Sequence, residues 1–126
     1  VAVPEKNETI RSNLMTEIFS TFENEESALK EISDAGYFPV TIDFPAESNE
    51  THWHDFDSLT YILEGELTLT EAESGERKVC SAGTKIVGNR GVLHREQTDG
   101  YRAIIGFSID PAGLSEPINK APPANV

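Results

Sequence analysis

The chain has 126 residues, enough for one domain around one hydrophobic core, although only 37% of its residues are apolar. Its formal net charge of −12, from 22 acidic against 10 basic side chains, opposes binding to phosphate backbones and to anionic lipid surfaces. A single cysteine, Cys80, excludes an internal disulfide and with it a disulfide-stapled secreted scaffold.

Residues 1–23 carry a weak signal. Met15, Ile18, Phe19 and Phe22 have the spacing of one helix face, but the Thr and Ser between them fit an extended arm equally well. Asn24 to Ala35 reads as a helix: Asn24 can cap it, Glu25 and Glu26 suit its first turn, and Gly36 suits its stop. Ala28, Leu29 and Ile32 make its short apolar stripe.

From Tyr37 the period changes to two. Val40, Ile42 and Phe44 alternate with Thr41 and Asp43, which predicts a strand ending at Pro45. Further short strands are expected at Thr51–His54, Leu59–Leu63, Glu66–Thr70, Arg77–Cys80, Thr84–Val87, Leu93–Gln97 and Tyr101–Ile109. Turn residues divide them: Glu64-Gly65, Glu73-Ser74-Gly75-Glu76, Gly88-Asn89-Arg90-Gly91 and Asp99-Gly100. Short strands at such intervals predict an all-β sandwich or barrel over residues 38–110. An N-terminal arm and helix (1–37) would precede it, and a proline-rich, irregular tail (111–126) would follow, in one domain.

The alternation also assigns faces. Ser58, Thr60 and Ile62 share the parity of His52 and His54, whereas Leu59, Tyr61 and Leu63 point the other way and are equally apolar. Tyr101, Ala103, Ile105, Phe107 and Ile109 form a similar stripe, expected on the outside. A sheet apolar on both faces needs a cover over its outer one. The helix can cover part, and a second subunit the rest, so a homodimer is expected.

The chemistry concentrates in the three histidines. His52-Trp53-His54 projects two imidazoles from one face of a strand, and His94 opens another strand forty residues on. Neutral imidazole ligates iron, nickel, copper and zinc, and three such ligands on one side leave positions open. Alone, a His-x-His pair fits a solvated strand just as well. The neighbouring residues decide otherwise. His52-Trp53-His54-Asp55-Phe56-Asp57-Ser58, followed after six residues by Gly65, resembles the first motif of the cupins. Gly83, five residues, then Asn89-Arg90-Gly91-Val92-Leu93-His94 resembles the second.

The resemblance spans about residues 38–109 and implies a jelly-roll barrel, a double-stranded β-helix, holding one divalent metal through His52, His54 and His94. It departs from the family's pattern at Ser58, where a glutamate ligand is usual; at Asn89, where proline is frequent; and at Thr98, where asparagine closes the second motif. Asp55 or Asp57 would supply a fourth ligand if the loop after His54 bends inward. By alternation Glu96 shares the side of His94, as a carboxylate to orient an imidazole or act as a general base. Arg102 has the parity opposite the apolar stripe and could hold a substrate carboxylate, or else Glu96. Thr60 is a further candidate for the cavity wall, Trp53 is expected to face outward, and Cys80 is expected to be a small buried hydrophobe.

Three-histidine cupins include iron-dependent dioxygenases of thiols and of β-diketones. The resemblance therefore implies a mononuclear dioxygenase of a small chelating substrate, with iron expected first and nickel, manganese or zinc open. A small-ligand-binding or sensing barrel, or a metal-dependent isomerase or lyase with Glu96 as base, are the alternatives. No run approaches the ~20 apolar residues of a membrane span and the first residues lack signal-peptide sections, so a cytoplasmic protein is expected.

Overall fold

A computed structural model of the chain describes residues 18–114 and 117–123; of the helical or extended reading for the first segment, the part that uses Met15 lies outside them. Strand β1 (Phe19–Thr21) precedes helix α1 (Glu25–Asp34), and five strands follow: β2 (Phe38–Ser48), β3 (Ser58–Glu71), β4 (Arg77–Ser81), β5 (Thr84–Gly88) and β6 (His94–Phe107). A short 3-10 turn, Pro111–Gly113, closes the series. Among the described residues no helix is long and apolar enough to cross a membrane. All strand pairs are antiparallel, in the order β1-β5-β3-β6-β2 with β4 also on β3.

Helix α1 forms where its caps predict. The Asn24 side chain accepts from the Ser27 amide at 2.9 Å, and the Ser27 hydroxyl accepts from the Asn24 amide at 3.1 Å, which together satisfy two exposed donors of the first turn. Ala28 and Ile32, one turn apart, bury against Tyr61 and Ile104, with Leu59, Leu63, Phe22 and Tyr37 around them. Leu29, expected in the same stripe, is 43% exposed. The contact is close because Gly106 lies beneath Ile32: a Cβ there would stand 2.9 Å from two Ile32 carbons.

Three strand boundaries differ from the sequence reading, each for a physical reason. β2 continues through Pro45, which pairs with Gly100, and on to Ser48. It is an edge strand in the sheet order, where a proline's missing N–H need not break a ladder. Glu64-Gly65 and Asp99-Gly100 are not hairpin turns. They interrupt the pairing of two 14-residue strands, β3 and β6, with register shifts between Ile62 and Glu64 and between Gly65 and Thr68. Gly65 pairs with Tyr101 at that point, and a side chain there would collide with the Gly100 carbonyl oxygen.

The irregularity reverses the parity of each strand along its length. In β6 the residues facing the interior are His94, Glu96 and Thr98 before it, and Tyr101, Ile105 and Phe107 after it. The stripe expected on the outside thus lines the inside, which removes one of the two observations behind the expected second subunit. Ile62, Leu67, Cys80 and Ile86 form the inner core, with Ile18, Phe19, Leu69 and Tyr101 packed on it. Burial pushes the Cys80 thiol up to about 11, the adjacent Lys78 opposing this slightly, in keeping with an unreactive core residue.

Candidate metal centre

His52 and His54 do not lie on a regular strand of their own. Their segment, between β2 and β3, is held on both sides by short bridges. The His52 amide donates to the His94 carbonyl at 2.8 Å and the His94 amide donates back at 2.9 Å. On the other side Trp53 and Lys120 exchange a pair of bonds at 3.1 and 3.0 Å, and the Trp53 indole donates to the Ala121 carbonyl at 3.0 Å. The Gly91 amide closes the segment on the His54 carbonyl at 2.9 Å. The described part of the tail is therefore a strap on the His-x-His segment.

This framing brings the three imidazoles together, one ligand atom of each lying within 4.8 Å of the others. Their orientation follows from backbone carbonyls. Nδ1 of His52 lies 2.7 Å from the Glu50 oxygen, that of His54 3.0 Å from Ile118, and that of His94 2.8 Å from Val92. A carbonyl cannot donate, so each Nδ1 carries the hydrogen and each neutral ring keeps its lone pair on Nε2. Such outer bonds fix tautomer and aim in metal-binding histidines.

Glu96 completes the cluster. Its Oε2 lies 3.4 Å from Nε2 of His52 and 3.4 Å from Nε2 of His94. Asn49 aims it: the Asn49 side-chain oxygen accepts from the Glu96 amide at 2.8 Å and its nitrogen reaches Oε1 at 3.5 Å. Burial opposes the charge on Glu96, but the facing His52 and His94 outweigh it and hold the carboxyl below its ordinary range. For His52 the same burial would lower the pKa, yet Glu96, the Glu50 carbonyl and Glu47 raise it above the usual value. His54 goes the other way: burial dominates, the Ile118 carbonyl opposes, and the two neighbouring rings add to the lowering.

His54, His94 and Glu96 of the cluster line a cavity of about 290 Å³, whose wall also includes Ile42, Phe44, Phe56, Ile105 and Phe107, with Ser58 and Thr60 on its surface. Phe56 lies against His54 at a ring separation of 5.1 Å. The other sequence candidates go elsewhere. Asp57 accepts from the Arg90 amide at 2.8 Å, and Asp55 lies 3.8 Å from the Lys120 ammonium. Arg102, expected to point inward, stands on the outer side of β6, 45% exposed and 4.0 Å from Asp43, because the register shift reverses its parity. Asn49 and the Ile118 carbonyl were not candidates. A backbone acceptor has no signature in sequence, and Asn49 is marked only by its place before the first half-motif.

The cluster's chemistry fits a divalent cation. His52 Nε2 and Glu96 Oε2 are buried with no hydrogen-bond partner, and the atoms around them are acceptors. His52, His54 and His94 would hold the ion.

No protein-family model matches the sequence, and no curated protein does. Solved structures do resemble it. A DUF861 family protein from Thermotoga maritima superposes with a TM-score of 0.53 at 20% identity, covering 69% of this chain and 96% of that one. The DMSP lyase DddQ from Ruegeria pomeroyi DSS-3 gives 0.50 at 20% identity, over 58% of this chain and 38% of that one. A cupin-2 domain protein from Shewanella frigidimarina gives 0.47 at 21% identity, over 55% and 67%. At these identities the likeness concerns the fold. With the two half-motifs on adjoining segments of an antiparallel barrel, the chain has the cupin fold. Within that fold it carries a three-histidine candidate metal site.

Proposed function

We propose that this cupin is a mononuclear metal-dependent dioxygenase acting on a small, largely apolar molecule with a chelating head. The observation that supports this reading is a cluster of three lone-pair-bearing imidazoles, two of which, His54 and His94, line a cavity whose wall also includes Ile42, Phe44, Phe56, Ile105 and Phe107. At about 290 Å³ the cavity is at the small end of ligand pockets, which limits the substrate to a small molecule. Iron is the metal proposed first, with nickel, manganese and zinc suiting the same donors; a redox-active ion would supply electron exchange with dioxygen, which amino-acid side chains cannot.

The chain's own residues do the remaining work. The three carbonyls at Nδ1 hold the imidazoles in one orientation before anything binds, so little ordering cost remains. Phe56, Ile105 and Phe107 exclude water and take the apolar body of the substrate. The hydroxyls of Ser58 and Thr60, on the same wall, are available to a polar substituent.

The test is oxygen uptake by tag-free, iron-loaded protein with panels of small thiols and β-diketones, beside His94→Ala. Uptake with one class, absent in the variant, is expected. No uptake by protein carrying stoichiometric iron would overturn the proposal. A second reading, a lyase or isomerase, is favoured by one observation: the Glu96 carboxylate lines the same cavity, where it could accept a proton from a bound substrate. Turnover without oxygen that Glu96→Gln abolishes, with metal retained, would select it.

A further inference from the structure

We infer that Glu96 is the fourth ligand of the metal site, so that the carboxylate missing at Ser58 enters from the second half-motif instead of the first. This rests on the metal-binding reading alone and not on the oxygenase chemistry.

Four observations carry it. First, the Glu96 Oε2 stands at the same 3.4 Å from two separate Nε2 atoms. Atoms that share one ion through bonds of about 2.1 Å stand roughly 3 to 3.5 Å apart. Second, the arrangement lacks a donor. The Nδ1 hydrogens are committed to carbonyls, leaving lone pairs on Nε2 that face a carboxylate oxygen. One added proton on His52 would join Oε2 to His52 but leave it against the lone pair of His94, whereas a cation between Oε2 and these two Nε2 atoms satisfies all three. The separation is also longer than the roughly 2.7–2.9 Å of a charge-assisted hydrogen bond.

Third, Oε2 is aimed. Asn49 binds the Glu96 amide through its oxygen and Oε1 through its nitrogen, which leaves Oε2 directed at the histidines. Asn49 is thereby a positioning residue. Fourth, the carboxylates of the first half-motif have other partners: Asp57 holds the Arg90 amide and Asp55 faces Lys120. Glu96 as ligand lowers the formal charge of a divalent site from +2 to +1 and leaves Ser58 as a small hydroxylic part of the cavity wall.

Cobalt(II) titration tests this, with affinity from chelator competition and coordination from the visible absorption bands. Wild type, Glu96→Gln and Asn49→Ala are compared, and the metal-free melting point of each is recorded. Wild type should take up one cobalt per chain. Glu96→Gln should bind about 100-fold more weakly with shifted bands, and Asn49→Ala roughly tenfold more weakly. Metal-free Glu96→Gln should melt no lower than wild type, because an amide nitrogen can donate to Nε2 where the carboxylate could not. Glu96→Gln binding within about threefold of wild type and with identical bands would overturn the assignment. Should that variant fail to fold, Asn49→Ala decides by the same criteria. Wild type that takes up no cobalt would instead overturn the metal-binding reading itself.

Discussion

Two polar clusters lie on opposite sides of the same sheet, and they differ in one respect. On the outer face, fully buried Tyr61 donates to Glu31 on α1 at 3.0 Å, and Lys85 donates to the same oxygen at 2.6 Å. The Lys85 and Glu31 charges there face one another, and the Tyr61 hydroxyl has its acceptor, so the cluster is complete as it stands. On the inner face His52 Nε2 and Glu96 Oε2 approach one another as acceptors, without a hydrogen between them. The neighbouring residues Thr60 and Tyr61 in β3 belong to these two different worlds. A complete cluster clamps the helix to the barrel. An incomplete one, held in place by carbonyls, is built for something the chain does not itself contain.

Breaking each cluster should therefore have separable consequences. The largest effect is expected for His94→Ala, which removes an imidazole from the incomplete cluster. Metal affinity should fall at least an order of magnitude beyond the about 10–100-fold typical of losing an outer partner, as read by plasma mass spectrometry and chelator competition. Retention of wild-type metal would show the inner cluster to be merely structural. On the outer side, Ile32→Ala empties the contact between α1 and Gly106 and should cost about 2–4 kcal/mol in denaturant unfolding, with metal affinity unchanged.

Removing residues 117–126 would act on the inner cluster alone. It takes away the Ile118 carbonyl that fixes His54 and the Lys120 pairing that frames Trp53. Metal affinity should drop by about 10–100-fold, measured by the same competition. An unchanged affinity would mean that the strap does not tune His54. The smallest effect concerns pH. Hydrogen bonding from Lys85 lowers the pKa of Glu31 below its ordinary 4.5, burial opposes this, and Tyr61 adds to the lowering. A carboxylate with a depressed folded pKa stabilises the protein above its ordinary value and loses that contribution as pH falls through the folded value. The melting difference between wild type and Glu31→Gln should thus be greatest near about pH 6 and close on acidification; a constant difference from pH 6 to 3 would exclude the pair as its source.

Much of this was readable in advance, and the exceptions share a cause. The helix caps, the strand-rich middle and the three histidines are local or motif-level signals, and each is where its residues predict. The errors begin at Glu64-Gly65 and Asp99-Gly100. Such pairs mark hairpin turns in most sequences, but here they face each other as a bulge shared by two long strands. One extra residue reverses every later side chain. That is why Tyr101, Ile105 and Phe107 point inward and Arg102 points out. Pro45 misled in a similar way, since whether a strand lies at the edge of a sheet is not written in its own residues.

The strand-rich class, the capped helix and the histidines that belong together are legible in the residues alone, because side-chain period, capping chemistry and motif spacing act over a few residues. Which face each half of β3 and β6 presents, and which outer partners hold the histidines, depends on long-range strand pairing. Glu96 was placed beside His94 by strand alternation alone, whereas Asn49 and the Ile118 carbonyl meet the cluster through pairings between segments distant in the chain. Register and backbone hydrogen bonds set those meetings, and they exist only once the barrel has closed.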